Sequence, residues 1–271
     1  LPRPEGPPGA YFETLGITPE LTRRVMNAAL SRGGEDCDLY FQPSASTTVA
    51  LSDQKVNQAG THVDLGMGVR VVVGDQVGYA YSEDLSPAAL VAAARAAAEI
   101  ASSTPGRTAA NPIARSIPNM YPVAIPWDAV GMQQRVDQVR AWERAAFAAD
   151  SRVKRVESYL ADATSIIMVV RPDGRMFQDW RPMTLGNVRC TAEKDGKRES
   201  GSYNVAARAG HEYYSADRND RIVREAVQRT VFLLDAGKPP AGEMQVVLAA
   251  GPSAILLHEA IGHGMEADFN R

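Results

Sequence analysis

Two histidines and a glutamate lie within six residues near the end of the chain, as His258, Glu259 and His263. The residues just before them, 254–257, are all apolar, and a buried polar group without a partner costs roughly 2–7 kcal/mol. A metal ion would compensate that cost. We therefore predict that His258 and His263 bind zinc and that Glu259 is the general base, accepting a proton from metal-bound water. The alternative is a helix whose histidines cap carbonyls and whose glutamate pairs with an arginine such as Arg271.

The spacing of this motif, HExxxH, sets a geometric condition on the backbone. Five residues at ~100° each place the two imidazoles about 140° apart on an ideal α-helix, too far apart for one tetrahedral ion. The helix must therefore widen locally or end, and Gly262 suits either outcome. A π-type turn would bring His263 back over His258.

A catalytic zinc ion needs a third protein ligand. Glu266 and Asp268 are the local candidates, but neither is well placed, and we favour a residue beyond Arg271. The sequence starts at Leu1 and stops directly after the motif, so we expect it to be a fragment of a longer protein, inactive by itself.

Other groups that could do chemistry are predicted to be structural. The His211-Glu212 pair has no second histidine at ligand spacing, and the glycines of Gly66-x-Gly68 lack the third glycine and following helix of a dinucleotide site. The remaining group is interpreted as turn and surface acids: Asp162, Asp173 and Asp179.

The elements around the motif predict an α+β fold with two helix–antiparallel strands–helix units, then a strand and the metal-binding helix. Helices are expected from Thr18-Pro19, from Ser86-Pro87 to about 102, and over about 133–149 and 220–234. Strand-like runs cover 38–42, 47–51, 63–73, 76–81, 153–160, 166–170, 185–193, 199–207 and 244–249. Hairpin turns are predicted at Gly74-Asp75, Asp173-Gly174 and Asp195-Gly196, and Ser253 is expected to cap the last helix.

Proline-rich segments divide the chain into units. The predicted organisation is a flexible N-terminal tail at 1–17, a first α+β unit at 18–103, a Pro-rich linker at 104–127, a second α+β unit at 128–237, and a linker, strand and HExxxH helix at 238–271.

Composition excludes several functional classes. The formal net charge is -3 and no basic stripe is present, which does not favour a nucleic-acid binder. No run of about 18 apolar residues exists, so we expect no membrane span. Cys37 and Cys190 are far apart and form no CxxC motif; reduced, partly buried thiols are the favoured interpretation, with a disulfide as the alternative.

The stretch VVLAAGPSAILLHEAIGHGMEADFNR resembles the metal-site region of the TldD subfamily of TldD/PmbA proteins. Similarity also runs through DCDLYFQPS, DLGMGVRVVVGDQVGYAYSEDLS and EKDGKRESG, and so covers nearly the whole chain. The resemblance implies a cytoplasmic metalloprotease that cleaves small or unstructured peptides and pairs, as a heterodimer, with a TldE/PmbA-like subunit lacking HExxxH. It also implies zinc ligands at His258 and His263, a catalytic Glu259, and a further ligand, a cysteine, in a C-terminal domain.

Two alternatives remain open at this stage. The chain could be a non-catalytic protein-interaction module, since the family has been described as a modulator of DNA gyrase. Separately, exposed edges among the antiparallel strands offer sites where an extended peptide could bind by strand addition.

Overall fold

The computed structural model describes residues 1–99, 108–251, 253–267 and 269–270. The chain divides into two compact units, residues 1–235 and 236–271. The helices of the first unit are α1 (Ala10–Glu13), α2 (Pro19–Ala29), α3 (Pro87–Ala98), α4 (Met132–Ala149) and α5 (Ala216–Asp235). Its strands are β1 (Asp36–Ser52), β2 (Lys55–Val73), β3 (Gln76–Ser82), β4 (Ile113–Arg115), β5 (Val153–Val170), β6 (Arg175–Lys194) and β7 (Lys197–Ala207).

All seven strands form one sheet in the order β3-β2-β1-β5-β6-β4, with β7 also pairing with β6. Every pairing is antiparallel except that of the short β4, which runs parallel to β6. The α+β class predicted from the sequence is therefore confirmed. The two predicted units contribute neighbouring strands, β1 and β5, to this sheet, and their separation at 104–127 stays a prediction.

Strands β1, β2, β5 and β6 are much longer than the predicted runs. The predicted runs 38–42 and 47–51 are both part of β1, and 153–160 and 166–170 are both part of β5. The residues between these runs, 43–46 and 161–165, are small or polar, so they interrupt the pattern of large apolar residues that predicts a strand. The backbone nevertheless pairs continuously across both segments. The turns at Gly74-Asp75 and Asp195-Gly196 join their strands as predicted. The β1–β2 turn uses Asp53 and Gln54, both with positive φ, and was not recognised in the sequence.

Two clusters of apolar side chains lie on the same face of the sheet. The first packs α1, α2 and α3 against one end of β1, through residues such as Phe12, Phe41 and Leu90. The second packs α4 and α5 against the other end, around Trp142 and Val49. Phe41 and Val49 are an even number of residues apart in one strand, so their side chains point to the same face.

Two of the helices begin where the capping residues predicted. The backbone N–H of Leu21 donates to Thr18 Oγ1 at 3.2 Å, and that of Ala89 donates to Ser86 Oγ at 3.4 Å. Helix α3 was predicted to continue to about residue 102, and the part of that prediction at 100–102 lies outside the described residues. No helix within the described ranges is both long and apolar enough to cross a membrane.

Three segments differ from their predictions. The predicted flexible tail contains α1 and buries Phe12 and Ile17, because these two side chains complete the first apolar cluster. Part of the predicted linker forms β4, which pairs with β6. The predicted strand at 244–249 is wrong: these residues have no regular secondary structure, are exposed, and pair with no strand among the described residues.

Candidate metal centre

The HExxxH segment forms a helix that changes its hydrogen-bonding pattern at the first histidine. Residues Ser253–Leu257 form the short α-helix α6, His258–Gly262 form a π-helical turn, and His263–Met265 form a 3₁₀ turn. The backbone N–H of His263 donates to the carbonyl of His258, which is the i to i+5 bond of a π-turn. The departure from α-helix that the five-residue spacing required is therefore present.

The wide turn places both imidazoles on one side of the helix. The ring centroids of His258 and His263 lie 4.6 Å apart with an angle of 75° between the ring planes. One potential ligand atom from each of His258, Glu259 and His263 lies within 4.8 Å of the others. All three side chains are exposed.

Glu266, a local candidate for the third ligand that the sequence did not favour, contacts the second histidine. Its Oε1 lies 2.5 Å from His263 Nδ1, while His263 Nε2 lies 3.6 Å from Glu259 Oε2. A carboxylate on Nδ1 favours the tautomer whose Nε2 lone pair is free, the arrangement common among metal-bound histidines. Glu266 is thus suited to orient His263 rather than to be the third ligand. Asp268, the other local candidate, and Arg271, the proposed partner of Glu259, lie outside the described residues.

Gly262 does not supply an unusual backbone conformation. Its φ and ψ, -59° and -49°, are those of ordinary right-handed helix. A Cβ added there would lie 3.6 Å from His258 Nδ1, an ordinary contact distance. Ser253 also differs from its expected capping role, because its hydroxyl donates to the carbonyl of Ala249.

The chemistry of these donors fits a zinc ion. Zinc takes imidazole nitrogens at about 2.0–2.1 Å, which places two nitrogens of a tetrahedral site about 3.3 Å apart. The potential ligand atoms here are within 4.8 Å of one another, so small side-chain rotations are sufficient to close the set. Among the described residues, no other group of three His, Cys, Asp or Glu side chains comes together in this way.

The other two histidines have structural surroundings. His62 Nε2 lies 2.8 Å from Asp64 Oδ1 on the exposed sheet. His211 packs edge-on against Trp127, and burial lowers its pKa. Glu212 accepts hydrogen bonds from the backbone N–H groups of Ile125 and Gly210, which joins two loops.

A buried ion pair was missed in the sequence. Asp162, interpreted as a surface acid, is 5% exposed and accepts two hydrogen bonds from the guanidinium of Arg135, at 2.7 and 3.0 Å. Arg135 also donates to the carbonyls of Trp127 and Val130, so it ties α4 to the segment before it. The spacing of 27 residues between the partners gives no sequence signal. Asp173 lies at an exposed turn, as predicted, whereas Asp179 lies within strand β6 and is half-buried; each is paired with arginine.

Both cysteines are free and buried, one in each apolar cluster. Burial raises the pKa of each thiol to about 12. These thiols are therefore poor candidates for metal ligands, because a ligand sulfur must lose its proton.

Two family models of PmbA/TldA metallopeptidase domains match this chain. Residues 37–101 match the family model described as PmbA/TldA metallopeptidase domain 1, and residues 125–234 match the model described as PmbA/TldA metallopeptidase central domain. Neither match includes the HExxxH segment.

Two curated relatives carry the same kind of name. The chain is 35% identical to a protein of Haemophilus influenzae named metalloprotease TldD homolog, over 86% of this chain and 50% of the relative. It is 22% identical to a protein of Methanothermobacter thermautotrophicus named metalloprotease, over 87% of this chain and 51% of that one. The chain thus spans about half the length of the curated relatives it matches.

Solved structures share the fold at low sequence identity. A protein of Thermotoga maritima described as a candidate modulator of a DNA gyrase aligns with a TM-score of 0.65 and 16% identity, over 82% of this chain and 50% of that one. TldE from Thermococcus kodakarensis aligns with a TM-score of 0.56 and 14% identity, over 75% of this chain and 46% of that one. From the two family models and the Haemophilus relative together, we conclude that this chain belongs to the PmbA/TldD family.

Proposed function

We propose that this chain supplies the metal-binding helix of a zinc peptidase that cleaves small or unstructured peptides. The proposal rests on the π-helical turn, because this turn brings potential ligand atoms of His258, Glu259 and His263 within 4.8 Å of one another. The metalloprotease names of the relatives support the reaction class.

In this proposal His258 and His263 hold the zinc ion through one ring nitrogen each. When bound, zinc supplies Lewis-acid polarisation of a peptide carbonyl and lowers the pKa of water. Glu259 accepts the proton of the attacking water and then donates it to the leaving amine. Glu266 keeps the His263 ring oriented through its contact with Nδ1.

The third ligand and the partner are also part of the proposal. Cys37 and Cys190 are buried in the first unit, so we assign the remaining ligand to a residue beyond Arg271. A TldE-like protein is the proposed partner, since the fold is shared with a TldE. Peptide is the proposed substrate, and we propose no binding to nucleic acid or membrane.

Glu259→Gln separates catalysis from metal binding. We expect the full-length protein, tested alone and with a TldE-like subunit, to lose peptide cleavage with this change while its circular dichroism spectrum and zinc content are unaltered. His258→Ala and His263→Ala should lose zinc as well. Glu243→Gln, at another exposed glutamate of residues 236–271, is the matched control and should leave cleavage unchanged.

Retained cleavage in Glu259→Gln would remove the role given to this residue. A wild-type protein that binds zinc and its partner but cleaves no peptide would instead favour the interaction-module alternative.

A further inference from the structure

Helix α4 and the β1–β2 turn border a surface depression of about 560 Å³. This volume lies within the roughly 300–1,000 Å³ of small-molecule sites. We name it the α4 depression. Its lining residues are Gln54, from the turn, and five residues of α4: Arg140, Glu143, Arg144, Phe147 and Ala148.

Four of the lining side chains lie on one face of the helix. Arg140, Glu143, Arg144 and Phe147 follow the spacing i, i+3, i+4 and i+7. Helical residues three and four apart are neighbours, with Cβ atoms about 5–6 Å from each other. Two cations, one carboxylate and one aromatic ring therefore project into the depression from adjacent positions.

The carboxylate of Glu143 is buried but only half used. The residue is 4% exposed, and a buried charge is costly unless it is paired. Its Oε1 accepts the backbone N–H of Gln54 at 2.9 Å, which holds the carboxylate in place. Within the described ranges, Oε2 accepts no hydrogen bond and no cation forms an ion pair with Glu143. Oε2 is not among the enclosed atoms, so it is open to a donor that enters the depression.

The two arginines of the depression have no anion of their own. Both side chains are exposed, and neither Arg140 nor Arg144 makes a hydrogen bond or an ion pair with any residue that the structure describes. Like charges four residues apart on a helix repel each other. Guanidinium groups match the geometry of a carboxylate, so a carboxylate bound between them would relieve this repulsion.

These charges together select a ligand that carries both signs at short range. An anion alone would lie beside the Glu143 carboxylate, and a cation alone would lie beside the two guanidinium groups. A free α-amino acid carries an ammonium and a carboxylate on one carbon, whereas in a peptide these groups are at opposite ends. Phe147 and Ala148 add an apolar wall for a side chain.

We propose that the α4 depression binds a free apolar α-amino acid. Its ammonium group donates to Glu143 Oε2, its carboxylate lies between Arg140 and Arg144, and its side chain packs against Phe147. The site lies wholly within residues 1–235 and does not depend on the proposed metal chemistry.

The test is a ligand-detected NMR titration of the full-length protein with leucine and with phenylalanine. We expect saturable binding of at least one of them, with a Kd of about 1 mM or tighter. N-acetylation removes the ammonium charge and amidation removes the carboxylate charge, so each should weaken binding about tenfold or more. The dipeptide leucyl-leucine, which separates the two charges, should be weakened to a similar extent.

Two variants assign the charges to their partners. Glu143→Gln keeps an acceptor for the Gln54 N–H, and we expect it to weaken leucine about tenfold without weakening N-acetyl-leucine further. Arg144→Gln, on the exposed face of α4, should weaken leucine but not leucinamide. Arg224→Gln, at an exposed arginine of α5, is the matched control, and His258→Ala should also bind leucine as wild type does. Circular dichroism checks that each variant is folded.

Three results would overturn the proposal. The first is no saturable binding of leucine or phenylalanine at about 10 mM. The second is equal binding of leucine and N-acetyl-leucine by the wild type. The third is inorganic phosphate that binds as tightly as leucine and is unaffected by Glu143→Gln, because it would show a site for anions only.

Discussion

Deletion of Ala260 shortens the spacing between His258 and His263 from five residues to four. On a regular α-helix four residues correspond to ~400°, so the two rings would lie about 40° apart on one face. The i to i+5 bond seen between these residues would become an ordinary i to i+4 bond. We therefore expect the deletion to keep the imidazoles together although it removes the π-turn.

Insertion of one alanine after Ala260 has the opposite effect. Six residues separate the rings by about 120° on an α-helix, and the observed wide turn spans only five. Zinc sites with four ligands contribute about 10–16 kcal/mol, or roughly 3 kcal/mol per ligand, which corresponds to ~100-fold in Kd. The insertion should thus weaken zinc binding about 100-fold, as His263→Ala should, whereas the deletion should stay within about tenfold of wild type.

Zinc affinity is measured by competition with a chromophoric chelator, with circular dichroism as a check on folding. An alanine inserted after Gly242, in the irregular segment before the helix, keeps the histidine spacing and is the control. An insertion variant that binds zinc as tightly as wild type, or a deletion variant that binds as weakly as His263→Ala, would refute this dependence of zinc affinity on helical spacing.

Three further predictions concern the first unit. Arg135→Met leaves the buried Asp162 without its cation and should lower the free energy of unfolding in urea by about 3–5 kcal/mol, while Arg140→Met, on the exposed side of the same helix, should change it little. Burial lowers the pKa of His211 from 6.5, so the unfolded chain binds its proton more readily. The stability contributed by His211 is present above about pH 6.5 and is lost as the pH falls from there towards the folded-state pKa. Over this pH range the melting temperature of His211→Gln should fall less than that of the wild type. An equal fall in both proteins would contradict the role given to His211. Both cysteine thiols, with pKa raised to about 12, should resist a thiol reagent at pH 8 and react fully in urea; rapid labelling of the folded protein would show that they are accessible.

Local signals in the sequence determined several parts of the fold. The capping residues Thr18 and Ser86 fixed the start of two helices, and Gly74-Asp75 fixed a hairpin, because each acts on backbone groups within a few residues. The joining of both halves into one sheet was not predicted, because the β1–β5 pairing connects residues more than 100 positions apart. The buried position of Asp162 was missed for the same reason: its partner Arg135 is remote in sequence.

For the candidate metal centre, too, some features were evident from the sequence and others only from the structure. The residue types of His258, Glu259 and His263 indicated the chemistry, and their spacing alone required a backbone other than α-helix, because helical geometry is local. Only the tertiary structure showed that a π-turn meets this requirement, that Gly262 has ordinary helical dihedrals, and that Glu266 contacts His263.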